Sequence, residues 1–207
     1  VAALNAITSA ETEFEINQMA DKDYCGLIGS LLYASCMTRP DVAFPVAFLA
    51  RFMQKPKLEA WEAGLSITAY LRKTAELGIT LGGSESMANT PDFDVCISAN
   101  VPTDGIVCVG DSSFNRDPQP FGGGYVKWMH SLVSYIVRKL KFTPQSGAEA
   151  ETAILVSTIK EGRFVQVVAE FLQSKLAAGT KPFPMIAITD CKATYDIIRN
   201  PGATKRT

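Results

Sequence analysis

Three carboxylates in the second half of the chain stand where side chains can converge. Asp111 follows the apolar run Ile106-Val107-Cys108-Val109, just past its end. Asp190 follows the run from Met185 to Thr189, and Glu151 falls in the first turn of a long helical stretch. Runs this short suit strands buried on both faces, and strand ends and helix starts gather at one edge of a sheet. Three carboxylates with no cation beside them repel one another, and such a cluster is tolerable if a divalent metal neutralises it. Asp and Glu oxygens suit a hard cation, Mg2+ (or Mn2+), and the chemistry to expect is metal-ion chemistry.

Each acid also has a purely structural reading. Asp111 can be a turn residue before Ser112-Ser113, Glu151 a helix-dipole residue and Asp190 the N-cap of the last helix. A fourth acid, Glu149, belongs to Ser146-Gly147-Ala148-Glu149, a capping-box pattern with Ser146 as N-cap and Glu149 at N3. Glu151 lies about 200° around the helix from Glu149, so both cannot face one site. With Glu149 capping, Glu151 is free to be the ligand. Asp117 in a Pro-rich turn and Asp196 in the last helix read as solvated.

The elements that must position these groups follow from periodicity. Residues 24–82 read as three short helices. One carries Leu27, Ile28, Leu31, Leu32 and Ser35, and is broken at Thr38-Arg39-Pro40-Asp41. Asp41 is expected to cap a second helix with Val42, Val46, Leu49 and Phe52. A third helix carries Trp61, Leu65, Thr68 and Leu71 and stops near Gly78. Residues 83–104, rich in Gly, Ser, Asn, Pro and Asp, read as a linker. The remainder, 105–207, reads β-β-β-α-β-α. Strands start at Ile106, Tyr125 and Leu132, with a turn at Gly122 to Gly124. A helix runs from about Ala148 to Leu176, with Ile154, Ser157, Val165, Val168, Ala169 and Leu172 along one side. A strand at Met185 and a helix from Lys192 to Arg199 follow. Gly162 would weaken the long helix by roughly 1 kcal/mol relative to Ala. The expected fold class is α/β: a mixed sheet of three antiparallel strands then a parallel one, with helices, preceded by a small helical bundle.

Composition bounds the possibilities. The 207 residues are 47% apolar and 20% charged, a globular composition, and no apolar run is long enough to span a bilayer. No secretory signal is visible. The chain begins at Val1, as a processed product or a piece of a longer chain would. Five scattered cysteines (Cys25, Cys36, Cys96, Cys108 and Cys191) and one histidine form no zinc pattern. They read as reduced, mostly buried thiols of an intracellular protein, cytoplasmic or nuclear. The net charge is −1 and the pI about 5.9, so contact with nucleic acid would need a local basic patch or a larger assembly. Lys127, Arg138, Lys139 and Lys141 on or after the second and third strands could grip a phosphate backbone; equally they could solvate a sheet face. Trp128 and Tyr135 read as core, and His130 as a turn residue.

The segment Tyr24-Cys-Gly-Leu-Ile-Gly-Ser-Leu-Leu-Tyr-Ala-Ser-Cys-Met-Thr-Arg-Pro-Asp41 resembles the Y-x-x-L-I-G-S-L-L-Y…T-R-P-D stretch of copia-type retrotransposon polyproteins. Ala47 to Met53 and Ile67 to Arg72 resemble its next two helices. Val109-Gly-Asp-Ser-Ser-Phe114 resembles Y-S-D-A-D-W, and Gly123-Gly-Tyr-Val126 resembles S-G-Y-V. Ser146 to Thr152 resembles S-S-T-E-A-E-Y, Thr189 to Thr194 resembles C-D-N-Q-S-A, and Asn200-Pro201 falls where the family has N-P. The matches keep their order from Tyr24 onward. The resemblance implies a thumb- or connection-like region over 1–82 and a ribonuclease-H-like domain over 105–207. It also implies Asp111, Glu151 and Asp190 as catalytic acids and metal ligands. The implied reaction is two-metal hydrolysis of the RNA strand of an RNA–DNA hybrid, the hybrid being recognised by its shape, phosphates and 2′-hydroxyls. The rest of a reverse transcriptase, or a larger assembly, is the implied partner. Departures stand beside these matches. Ser113 and Phe114 replace the family's second Asp and Trp, Thr204-Lys-Arg-Thr207 replaces T-K-H-I, and no Y-x-D-D polymerase motif is present. The substitutions and the acidic pI support a second reading: a catalytically inactive retroelement-derived module serving as a structural or nucleic-acid-binding subunit. The retained acids oppose it.

Overall fold

The computed structural model describes residues 4–81, 105–113, 120–129, 131–176 and 182–200. The chain divides into two compact units, Val1–Ile79 and Thr80–Thr207. The linker expected at 83–104 lies outside the described residues, as do His130, Asp117 and the terminal Thr204 to Thr207.

The first unit has helices α1 (Glu13–Asn17), α2 (Tyr24–Met37), α3 (Ala43–Leu49) and α4 (Leu58–Lys73), the last three joined in turn by 3-10 turns at Pro40–Val42 and Ala50–Phe52. Helix α1 was not expected from periodicity. It is too short to show any, and a capping box between Thr12 and Glu15 starts it. Ile28, Leu31, Val46 and Leu49 fill the interior, and the buried Tyr24 hydroxyl donates to the Leu49 carbonyl at 2.9 Å. Asp41 does not cap α3. It sits in the 3-10 turn Pro40–Val42 because its carboxylate is held by Arg39, at 3.0 Å to Nε and 2.8 Å to Nη2. Arg39, 7% exposed, also donates to the Thr74 carbonyl and hydroxyl at 3.0 and 2.7 Å. That contact ends α4 at Lys73 rather than near Gly78, since Arg39 takes the acceptors at which the helix stops. The Arg39 guanidinium holds the Asp41 carboxyl below its ordinary value.

The second unit has strands β1 (Ile106–Ser112), β2 (Phe121–Trp128) and β3 (Ser131–Lys139), helix α5 (Gly147–Leu176), strand β4 (Met185–Ile188) and helix α6 (Lys192–Arg199). The sheet order is β3-β2-β1-β4. The β1–β2 and β2–β3 pairs are antiparallel and β1–β4 is parallel, the mixed arrangement expected and one compatible with a ribonuclease-H-like fold. A core of Ile106, Cys108, Val126, Ala169 and Phe183 joins the sheet to α5, with Trp128 edge-on to Phe183 at 5.5 Å. Tyr135 is half-buried. Among the described cysteines Cys108 is buried and Cys191 half-buried, but Cys25 and Cys36 are exposed, against the expectation of mostly buried thiols. No described helix is long and apolar enough to cross a membrane.

The expected turn at Gly122 to Gly124 is the interior of β2, paired with Ser112, Asp111 and Gly110 of β1. The physical reason is the approach of α5. A Cβ on Gly122 would lie 2.0 Å from Ile154 Cγ1, and one on Gly124 would lie 1.9 Å from Thr158 Oγ1. The glycines are there for clearance, not for turning. Gly162, expected only to weaken α5, faces the sheet in the same way, its missing Cβ 2.3 Å from Cys108 Sγ. The buried side of α5 is Ala150, Ile154, Leu155, Thr158, Gly162, Gln166 and Ala169, whereas Val168 and Leu172, expected inside, are exposed. Gly124→Ala should therefore destabilise the protein by about 1–3 kcal/mol through overpacking. Adding Thr158→Ala, which removes the nearest atom, should recover part of that loss; urea unfolding of the two variants checks both halves.

Candidate metal centre

Asp111 lies inside β1, opposite Gly123, rather than past the strand end, because β1 stays paired through Ser112. Asp190 lies two residues beyond the last residue of β4, as expected. Glu151 is the fifth residue of α5, at the start of its second turn rather than in its first. The three residues offer carboxylate oxygens that all lie within 4.8 Å of one another.

The start of α5 explains which glutamate is available. Ser146 Oγ accepts from the Glu149 N–H at 3.2 Å, and Glu149 Oε2 accepts from the Gln145 N–H at 2.6 Å. Glu149 is thus occupied by the helix start, one residue away from the ideal capping box. Glu151 turns to β1, where its Oε1 accepts from the Ser112 N–H at 3.3 Å. Its Oε2 is buried and has no hydrogen-bond partner among the described residues. Burial pushes the Glu151 carboxyl up to about 7, and the negative charges of Asp111 and Asp190 add to the shift while the Ser112 N–H opposes it. An orphaned, buried acceptor in an all-oxygen donor set fits a hard divalent cation, for which carboxylates are the natural ligands.

Asp190 does not cap α6. The N-cap position is Cys191, whose side chain makes no capping bond; its N–H donates to Thr189 Oγ1 at 3.1 Å. A threonine pair that sequence inspection missed fixes α6 instead. Thr194 is fully buried, and its hydroxyl donates to the Ala148 carbonyl at 3.2 Å. Thr152 donates to the same carbonyl at 2.6 Å, with the two hydroxyl oxygens 3.3 Å apart. Helix α6, which follows the loop carrying Asp190, is thereby tied to the first turns of the helix carrying Glu151. No local pattern signals this pair, because its members are 42 residues apart.

The four candidate basic residues do not form one patch. Lys127 shares the sheet face of Asp111, its Nζ 5.5 Å above the Tyr125 ring, and Lys139 is on the same face by register. Arg138 lies on the opposite face and is hydrogen-bonded to Ser157 of α5. Lys141 is exposed beyond β3.

Over 198 residues, 93% of its length, the chain is 29% identical to a retrovirus-related Pol polyprotein from transposon TNT 1-94 of Nicotiana tabacum, spanning 13% of that protein. It is 29% identical over 180 residues to the Pol polyprotein of transposon RE1 of Arabidopsis thaliana, covering 86% of the chain and 11% of the relative. Its homologues are retrotransposon Pol polyproteins. A transposon Ty5-1 protein of Saccharomyces cerevisiae is 25% identical over 140 residues, 67% of the chain and 41% of that protein. The chain thus spans a small fraction of its longest relatives. No protein-family model and no solved structure matches it.

Two measurements probe the site as a structure. Thr194→Val, which keeps the volume but removes the hydroxyl, should cost about 1–2 kcal/mol in urea unfolding, and Thr194→Ser should retain most of the stability. The Glu151 carboxyl sits near 4.5 when unexposed to the fold and about 7 within it, so the folded state holds the extra proton between those values. Stability of the metal-free protein should fall as pH rises from about 4.5 to about 7, and Glu151→Gln should flatten that slope in unfolding curves taken across the window.

Proposed function

We propose that residues 105–207 act as a metal-dependent endonuclease that hydrolyses the RNA strand of RNA–DNA hybrids, as part of a retroelement reverse transcriptase. The observation that carries this reading is the meeting of Asp111, Glu151 and Asp190, with ligand oxygens within 4.8 Å, at one edge of a mixed sheet. Similarity to Pol polyproteins over 93% of the chain supports a retroelement-derived module. In the reaction a water oxygen displaces the 3′ oxygen of the neighbouring nucleotide at phosphorus. Mg2+ (or Mn2+), when bound, supplies polarisation of the phosphate and a more acidic water.

The chain's own residues have separable parts in this scheme. Asp111, Glu151 and Asp190 hold the cation through carboxylate oxygens. The Ser112 N–H fixes Glu151 by one oxygen and leaves the other for ligation. The Thr152–Thr194 contact sets α6, and through it the loop that presents Asp190. Lys127 and Lys139, on the Asp111 face of the sheet, and the exposed Lys141 would meet backbone phosphates, with Arg138 on the α5 face held by Ser157. Residues 1–82 would serve as a thumb- or connection-like element, 83–104 as linker, and the rest of a reverse transcriptase as partner, within the cytoplasm or nucleus.

A second reading is favoured by Ser113, which stands where the resembling family has its second Asp, and by the pI of about 5.9. It makes the chain a catalytically inactive module that binds hybrid or metal without cutting. A labelled RNA–DNA hybrid incubated with the protein and Mg2+ or Mn2+ separates the two. Cleavage confined to the RNA strand, dependent on metal and reduced at least about 100-fold by Asp111→Asn, is expected. Absence of metal-dependent cleavage, or equal cleavage by the variant, overturns the nuclease. Mn2+ binding without cleavage supports the inactive module.

A further inference from the structure

Helix α5 has a second apolar face that the sheet does not use. Phe164, Val167, Phe171 and Leu176 are 66%, 51%, 59% and 85% exposed, and Val168 and Leu172 are 40% and 42% exposed. Together they present on the order of 700 Å² of apolar surface, above the largest patch of a typical soluble monomer. At about 100° per residue Phe164, Val167, Val168 and Phe171 lie on the side of α5 away from Gly162, Gln166 and Ala169, which face the sheet, and Leu172 and Leu176 border that side.

We propose that this face docks on the same face of a second copy of the chain, antiparallel, about a two-fold axis passing beside Val168. The pattern around that residue is symmetric in the way such an axis requires. Phe164, Val168 and Leu172 form one ridge at four-residue spacing, and ridges of this kind interdigitate at a crossing angle of about −50°. The axis sets Phe164 of each copy against the second copy's Leu172, about 6 Å along the helix from the centre. Half-buried Glu161 and exposed Lys175 lie seven residues on either side of Val168, about 10 Å from it. Each Glu161 then meets the second copy's Lys175, so two ion pairs close the rim at once. Lys175 already lies over the Phe171 ring, its Nζ at 5.7 Å from the centroid, which keeps its charge beside the stripe. A surface self-complementary in both shape and charge is what an isologous contact needs. The apolar area offered is close to the ~800 Å² per partner of an ordinary stable interface.

Sedimentation velocity of the full chain over about 1–100 μM tests this contact, because a Kd in that range spans monomer and dimer. A concentration-dependent dimer is expected, and Val168→Glu should leave only monomer, with an unchanged circular dichroism spectrum because the position faces solvent. Glu161→Lys or Lys175→Glu alone should weaken self-association at least about tenfold, and the double variant should restore it, since the charges then meet again with signs exchanged. Monomer at every concentration overturns the proposal. So does a dimer that Val168→Glu leaves intact, or one in which the double charge exchange fails to rescue the single variants.

Discussion

The second unit depends on how closely α5 lies on the sheet. Gly122 and Gly124 on β2 leave no room for a methyl group, since their missing Cβ atoms would fall 2.0 Å from Ile154 and 1.9 Å from Thr158. Gly162 does the same from the helix side against Cys108. Close approach has two effects. It buries Ile154, Leu155 and Thr158 completely or nearly so. It also brings the start of α5 within reach of the end of β1, so that Glu151 can accept from the Ser112 N–H and stand beside Asp111. A bulkier strand would lift the helix and separate the carboxylates before any of them was changed.

That closeness has an electrostatic cost. Three carboxylates within a few ångströms, one of them partly buried, oppose their own ionisation. The protein meets the cost in part by leaving Asp111 and Asp190 exposed and by holding a proton on Glu151 up to about pH 7. The buried, unpartnered Glu151 oxygen is the remainder: an acceptor whose desolvation nothing among the described residues offsets. A divalent cation would engage that oxygen together with the exposed Asp111 and Asp190 carboxylates, which no single hydrogen-bond donor could do. Under the proposed function, the cation site and the cost to the fold are two consequences of one arrangement.

Sequence patterning carried the second unit further than the first. The order β-β-β-α-β-α, the bounds of α6 and the place of Asp190 follow from apolar runs and breakers. The Ser146–Glu149 pattern separated the two glutamates: the Ser146 half of the capping box forms as expected, and Glu149 is held at the helix start by the Gln145 N–H instead of that of Ser146. Three things were not readable, each for a physical reason. A Gly-Gly-Gly run signals a turn unless one knows that a helix lies across it. Asp41 looks like a cap until the guanidinium of Arg39 claims it. The Thr152–Thr194 contact joins residues 42 apart, beyond any local pattern.

Helix α5 shows why its apolar periodicity pointed the wrong way. Large residues at helical spacing ordinarily mark the buried side, yet here Phe164, Val168, Phe171 and Leu172 face outward. Over its second half the sheet side is Gly162, Gln166 and Ala169, small or polar, with Gln166 donating to the Phe183 carbonyl at 2.6 Å. Beneath its first half the glycines of β2 make room for Ile154 and Thr158, and beneath its second half Gly162 lies against Cys108. The helix that brings Glu151 to Asp111 therefore also carries a second hydrophobic face on the side that the sheet leaves open, a surface whose burial favours association.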